Sequence, residues 1–143
     1  MKNKQPHILV VDDHADFRTS ITRLLTVEGF EVSCAASGDE ALALLENQDF
    51  ADDIDLLLLD YRMPGRNGGQ TLTELRARGF DTPALLLSST PGIDVLCKLF
   101  GFDAALAKPC DFEDLLTAIQ RCLEATRLVA RPPAKKRLYA VTG

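Results

Sequence analysis

The chain has 143 residues, 46% of them apolar, and a formal net charge of −5 at pH 7, which suits one globular domain with a sizeable core and leaves little room for a second. No apolar run reaches the length of a membrane-spanning helix. The polar start, Met1 to Pro6, lacks the apolar stretch and cleavage site of a secretory signal, so a cytoplasmic location is the default expectation. The charge is uneven: residues 127–143 hold Arg127, Arg131, Lys135, Lys136 and Arg137 and no acid, which leaves −10 on residues 1–126. The expected division is therefore a folded domain over 1–126 and a basic tail or linker over 127–143. The acidic part is a poor surface for nonspecific nucleic-acid binding.

The elements follow in chain order. His7 to Val11 is a short apolar run ending in Asp12-Asp13, the mark of a strand buried on both faces. Phe17, Ile21, Leu24 and Leu25 then recur at helical spacing, and Gly29 ends that helix. Phe30 to Cys34 reads as a second strand, and residues 38–48 as a second helix with Ala41, Leu44 and Leu45 on one side. Residues 49–55 read as an acidic loop. Leu56 to Leu59 is a third apolar run, closed by Asp60. A third helix over 68–78 is bounded by glycines, a fourth strand runs from Pro83 to Ser88, a short fourth helix covers 92–100, and a fifth strand spans Ala104 to Ala107. Asp111 is placed to cap a long fifth helix with Phe112, Leu115, Leu116, Ile119 and Leu123 facing the core. Five strand–helix alternations predict an α/β fold, a doubly wound five-stranded parallel sheet flanked by five helices.

In open parallel sheets, ligands bind outside the carboxyl ends of the strands. The first strand ends in Asp12-Asp13, the third in Asp60, the fourth in Ser88-Ser89, and the fifth is followed by Lys108-Pro109. If those strands lie side by side, three carboxylates, a hydroxyl and an ammonium converge on one rim. Clustered carboxylates repel unless a cation sits among them, and Mg²⁺ prefers such oxygen ligands, often with a phosphate as partner. Asp60 is then placed to act as a nucleophile toward phosphorus, with Lys108 and the Ser88 hydroxyl directed at phosphoryl oxygens. Taken singly each feature has a plainer reading: a helix cap, a turn, a strand terminus, a loop. Only their joint placement at four strand ends is specific. His14 reads as a rim residue, Met63 as a core plug beside the loop-shaping Pro64, and Cys34, Cys97, Cys110 and Cys122 as reduced, buried thiols.

These motifs resemble the receiver domains of bacterial response regulators over nearly all of residues 6–126. The resemblance rests on Val10-Val11-Asp12-Asp13, Leu58 to Pro64, Asn67-Gly68, Pro83 to Ser88 and Lys108-Pro109. It implies the strand order 2-1-3-4-5 of a flavodoxin-like fold and a phosphoacceptor at Asp60. It further implies Mg²⁺ held by Asp12, Asp13, Asp60 and the backbone carbonyl of Arg62, with Ser88 as the switch hydroxyl. Lys108 would bridge Asp60 and the phosphate, next to a cis bond to Pro109, and Gly68 would permit the turn into the following helix. The implied partners are a sensor histidine kinase or phosphotransfer protein as donor and a downstream protein effector. The chain departs from the family where Ala105 stands three residues before Lys108 in place of the usual aromatic residue. It departs again where Pro91-Gly92 begins a segment about two residues short. By the same resemblance, Arg62 and Thr90 occupy positions that in the family tune the rate of dephosphorylation.

Two enzyme-like or cofactor-binding alternatives fit less well. An aspartate-nucleophile phosphatase needs a second acid two residues after the nucleophile, where this chain has Arg62. A flavin carrier needs a small-residue phosphate loop after the first strand, where Asp12-Asp13-His14-Ala15-Asp16 would repel a phosphate. A receiver-like binding module that signals without phosphorylation is the remaining alternative.

Overall fold

A computed structural model describes residues 4–128. Its elements are β1 (His7–Val11), α1 (Ala15–Val27), β2 (Glu31–Ala35), α2 (Gly38–Leu44), α3 (Gln48–Asp53), β3 (Leu56–Leu59), α4 (Gly68–Ala77), β4 (Ala84–Ser88), α5 (Ile93–Phe100), β5 (Ala104–Ala107) and α6 (Phe112–Leu128). All strands are parallel and hydrogen-bonded in the order β2-β1-β3-β4-β5, as the resemblance implies. The first and third strands are thus neighbours, which puts Asp12-Asp13 beside Asp60.

The helix count differs from expectation. The expected helix over 38–48 stops at Leu44, and the expected acidic loop is largely helical, because Asn47 opens α3 by accepting a hydrogen bond from the Phe50 amide at 3.0 Å. Six described helices therefore flank the sheet, one more than the sequence suggested. At the other end, α6 reaches Leu128, two residues past the expected boundary. The basic residues beyond it lie outside the described part of the chain.

Strand pleating divides the core in two. Leu9, Val11, Leu57, Leu59, Ala84 and Leu86 point to one face, where Leu42, Ala51, Leu72, Leu75 and Met63 cover them. Ile8, Val10, Leu56, Leu58, Leu85 and Leu87 point to the other, under Ile21 and Leu25 of α1 and Leu115, Ile119 and Cys122 of α6. Both faces of the central strands are dry, which is why these strands read as unbroken apolar runs instead of alternating ones. Each such leucine contributes roughly 1.5–3 kcal/mol of burial. The helices α2, α3, α4 and α5 share the first face, and α1 and α6 the second.

The edges are looser. No residue of α5 is fully buried, and its Val95 and Leu99 are 69% and 70% exposed. The inner side of α5 packs Ile93, Leu96, Cys97 and Phe100 against the first face, together with Ala105 of β5. None of the cysteines forms a disulfide, but only Cys122 is buried; Cys34, Cys97 and Cys110 are half-buried, less enclosed than the sequence suggested.

Candidate functional site

The site is built at the carboxyl rim, where strands end and backbone donors are freed. Asp12 and Asp60 lie immediately past β1 and β3 and are 2% and 6% exposed. The Asp60 amide donates to the Val11 carbonyl (3.0 Å), and the Asp12 amide to that of Ala35 (3.2 Å), so the sheet ladder itself locks both residues at the rim. After Asp60 the chain turns through Tyr61 to Asn67 into α4. Asn67 and Gln70 form a reciprocal capping box there. Gly68 sits so close to the preceding strand end that a Cβ would lie 2.2 Å from the Asp60 carbonyl oxygen, and its amide donates to the Tyr61 carbonyl at 2.7 Å. The turn that presents Asp60 therefore needs glycine at that position because of close backbone approach.

Four ligand atoms, one each from Asp12, Asp13, His14 and Asp60, lie within 4.8 Å of one another. Oδ1 of Asp12 accepts from the His14 amide (2.9 Å), and Oδ1 of Asp60 from the Tyr61 amide (2.7 Å). Oδ1 of Asp13 is buried and accepts no hydrogen bond from any described residue. His14 Nδ1 stands 3.3 Å from it and 3.1 Å from Asp12 Oδ1. The Lys108 ammonium enters from the β5–α6 side, bonds Asp12 Oδ2 at 2.6 Å and lies 3.8 Å from Asp60 Oδ2. It also sits 4.1 Å above the Phe17 ring centroid. The peptide bond between Lys108 and Pro109 is cis. Ser88, fully buried at the end of β4, donates to Thr90 Oγ1 (3.1 Å), and its Oγ accepts from the Thr90 amide (3.3 Å).

The two buried acids are tuned in opposite directions. Burial works against the charged form of Asp12, yet the hydrogen bonds from Lys108 and His14, with the Lys108 charge, outweigh it and hold its carboxyl below the usual range. For Asp60 burial wins. The nearby Asp12 charge adds to it, against the Ser88 hydroxyl, Lys108 and the Tyr61 amide, and the Asp60 carboxyl is raised.

Of the residues singled out in the sequence, Asp12, Asp13, Asp60, Ser88 and Lys108 converge on this rim. Arg62 follows in the β3–α4 loop with its side chain exposed. Lys108 is nearer to Asp12 than to Asp60, the reverse of the emphasis that the resemblance suggested. His14, expected only as a rim residue, has its ring against two of the acids. Phe17 beneath Lys108, and Arg18, whose Nη1 donates to the Asp12 carbonyl at 2.7 Å, carried no signal in the sequence beyond helical spacing.

Beside the rim, α1 and the start of α6 enclose an open apolar groove of about 590 Å³, walled by Phe17, Ile21, Leu24, Leu87, Phe112 and Leu115, with Lys108 at its edge.

A rim of this kind on a sheet of this order defines an acidic, phosphate-seeking site on a flavodoxin-like fold. A family model described as the response regulator receiver domain matches residues 8–120, and the chain belongs to that family, the phosphoacceptor modules of two-component signalling. Among curated proteins it is 41% identical to the transcriptional regulatory protein CpxR of Klebsiella pneumoniae over 118 residues, 81% of this chain and 48% of that protein. It is similar to the solved structure of the Vibrio cholerae chemotaxis protein CheY4 (31% identity, TM-score 0.74, 84% of this chain and 100% of that one). It is likewise similar to the Thermotoga maritima response regulator TrrA in complex with Mg²⁺–BeF (30% identity, TM-score 0.72, 83% of this chain and 100% of that one). The chain spans about half the length of the first curated relatives it matches. No helix among the described residues is long and apolar enough to cross a membrane.

Proposed function

We propose that Asp60 is the phosphoacceptor of this receiver, working with Mg²⁺ held by Asp12, Asp13, Asp60 and the Arg62 carbonyl. The observation that carries the reading is the buried Asp13 Oδ1, which accepts no hydrogen bond within a cluster of three carboxylates. A buried carboxylate oxygen without a donor is costly, and an all-oxygen donor set of this charge suits a hard dication. When bound, Mg²⁺ supplies positive charge against the repelling carboxylates and the incoming phosphoryl oxygens.

The residues of the chain do the rest. A carboxylate oxygen of Asp60 attacks phosphorus. The P–N bond of a donor phosphohistidine breaks, with its electron pair going to the imidazole nitrogen, and an aspartyl phosphate forms. Lys108, already within 3.8 Å of Asp60, is placed to neutralise a phosphoryl oxygen. The Ser88 hydroxyl exchanges Thr90 for another oxygen of the group by rotation about one bond. Hydrolysis returns Asp60 and inorganic phosphate. This self-catalysed cycle serves a switch in partner binding, by shifting the population of the active state.

The donor is a sensor histidine kinase or phosphotransfer protein, and the groove beside α1 supports its approach, since it offers an apolar seat within reach of Asp60. The output goes to a downstream effector. The receiver unit runs to the end of α6 at Leu128, slightly past the 1–126 expected, and the basic residues that follow in the sequence serve as a connector. The matched stretch is about half of the CpxR and MprA relatives, which are named as regulators, and this fits a receiver coupled to an effector. The reading without phosphorylation draws support from Ala105 alone, and the gathering of Asp12, Asp13, Asp60, Ser88 and Lys108 on one rim weighs against it.

The test is incubation with Mg²⁺ and acetyl phosphate, alongside Asp60→Asn, followed by intact mass and amide NMR. One phosphoryl adduct, lost in Asp60→Asn and in EDTA, is expected. No adduct, together with no Mg²⁺-dependent shift at Asp13, Ser88 and Lys108, would overturn the proposal.

A further inference from the structure

At the opposite, amino-terminal end of the strands the structure gathers a second set of ligand atoms. His7 opens β1, Glu31 opens β2 and Asp53 closes α3, the helix that stands where a loop was expected. His7 Nδ1 is 2.7 Å from Asp53 Oδ2 and 3.9 Å from Glu31 Oε1, and one ligand atom from each residue lies within 4.8 Å of the others. Five residues of strand separate His7 from Asp12, roughly 16 Å at 3.3 Å per residue, so the cluster is remote from the acidic rim.

The imidazole is buried and held. Its Nε2 lies 2.7 Å from Ser33 Oγ, Phe50 meets it edge-on at 5.7 Å, and the His7 amide donates to Asp55 Oδ2 at 2.8 Å. Without metal, Nδ1 at 2.7 Å from the Asp53 carboxylate is the donor of that hydrogen bond; metal entry at Nδ1 would move the proton to Nε2, where Ser33 Oγ is placed to accept it. Metal-ligating histidines are characteristically oriented in this way, by a partner on the other ring nitrogen. The plainer alternative is that this Nδ1–H bond to Asp53 is purely structural and no metal displaces its proton, so the two readings differ in their response to metal. The place already attracts a cation: the ammonium of Lys4, on an exposed side chain, contacts Asp53.

We propose that His7, Glu31 and Asp53 form a binding site for a divalent transition metal of borderline softness. One imidazole and two carboxylates suit Zn²⁺ better than Mg²⁺. Three protein ligands leave a position for water or for a group from another molecule. Metal entry displaces Lys4 and ties β1 and β2 to α3.

The full chain, kept reduced and with excess Mg²⁺ to engage the acidic rim, is titrated with Zn²⁺ while the histidine ring resonances are followed by NMR. It is titrated in parallel with Co²⁺ by visible absorption. The expected result is a His7 ring that passes from the Nδ1–H to the Nε2–H form on Zn²⁺ addition while His14 stays unmoved, and Co²⁺ bands without thiolate charge transfer. Affinity falls about tenfold or more in His7→Gln and Glu31→Gln, is unchanged in Asp13→Asn, and rises in Lys4→Met. Glu31 is exposed, so Glu31→Gln keeps the test decisive if His7→Gln fails to fold. A silent His7 ring at saturating Zn²⁺, shifts confined to Asp12, Asp13 and His14, thiolate bands, or unchanged binding in Glu31→Gln would each overturn the site.

Discussion

At the scale of single residues, two acids on one rim respond to their surroundings with opposite signs. The Asp60 carboxyl is raised, by burial first and by the Asp12 charge next. Its contribution to stability is therefore complete below the ordinary carboxylate value of 3.8 and is lost as pH rises through its folded value. At neutral pH, without metal, the ionised group is a liability. Asp12 is lowered, so its contribution is present above 3.8 and is lost as pH falls through the folded value. In EDTA at pH 7, Asp60→Asn should melt at a higher temperature than the wild type, and Asp12→Asn at a lower one. Adding Mg²⁺ should raise the wild type and narrow its gap to Asp60→Asn. Differential scanning calorimetry reads all three, and an Asp60→Asn variant that melts lower in EDTA would contradict the burial argument. Gly68 gives a second residue-scale prediction. Gly68→Ala forces a methyl against the backbone oxygen of Asp60 and should cost about 1–3 kcal/mol in urea unfolding, with weaker Mg²⁺ binding, because the loop that moves is the one that presents the site. The acids themselves were legible, since each closes an apolar run. The company they keep was not: Lys108 bonding Asp12, His14 turning toward the carboxylates and Phe17 beneath the lysine depend on contacts between distant segments.

At the scale of elements, the sequence was most transparent where a strand is buried on both faces and least where a helix is short and acidic. Leu56 to Leu59 allows no other reading. In Gln48-Asp49-Phe50-Ala51-Asp52-Asp53 three aspartates disfavour a helix interior, and only Ala51 is buried. Local capping starts α3, and contacts of Phe50 and Asp53 with His7 hold it in place. The Asn47 side chain caps it, and Asp49 lies in the first turn, where a negative charge meets the helix dipole favourably. The cap also explains why α2 ends early, since a residue held in extended backbone geometry at 47 cannot continue the helix before it. Asn47→Ala should cost about 0.5–2 kcal/mol, and hydrogen exchange of the α3 amides should accelerate more than that of α4. The short α5 region shows a related effect. Gly69 leaves a gap in which a Cβ would come within 2.5–2.6 Å of the Phe100 ring, and Phe100 in turn approaches Tyr61, with ring centroids 6.1 Å apart. A glycine at the start of α4 and a phenylalanine at the end of α5 thus fit each other, and neither alone announces the pair.

For the whole molecule, the two-sided burial of β1, β3 and β4 marks them as interior strands and was legible in their apolar runs, whereas their order was available in advance only through the family resemblance. Which helices cover which face emerges from the pleat, and it decides the working surfaces. The second face carries α1 and α6, whose near ends form the apolar groove beside the phosphoacceptor. Leu24 on that wall is 45% exposed and Val27, one turn on, 83% exposed. Leu24→Asp should leave phosphorylation by acetyl phosphate unchanged, because that donor needs only the rim. It should slow transfer from a cognate protein donor by about tenfold or more, the scale of losing one well-packed apolar anchor. Stopped-flow comparison of the two donors separates docking from chemistry, and equal slowing with both would place the donor elsewhere.

The 2.6 Å contact between Lys108 and Asp12 has a consequence for the order of events at the rim. An ammonium lodged against one of the metal-seeking carboxylates, and resting on the Phe17 ring, is a tenant that must give up part of its hold when a dication arrives. Mg²⁺ affinity and readiness of the lysine are then a single exchange: occupancy by one loosens the other, and the charge that will meet the phosphoryl group is released only once the metal is in place. Lys108→Met should accordingly bind Mg²⁺ several-fold more tightly while accepting phosphate more slowly. The tethered lysine acts as an interlock against premature chemistry as well as a participant in it.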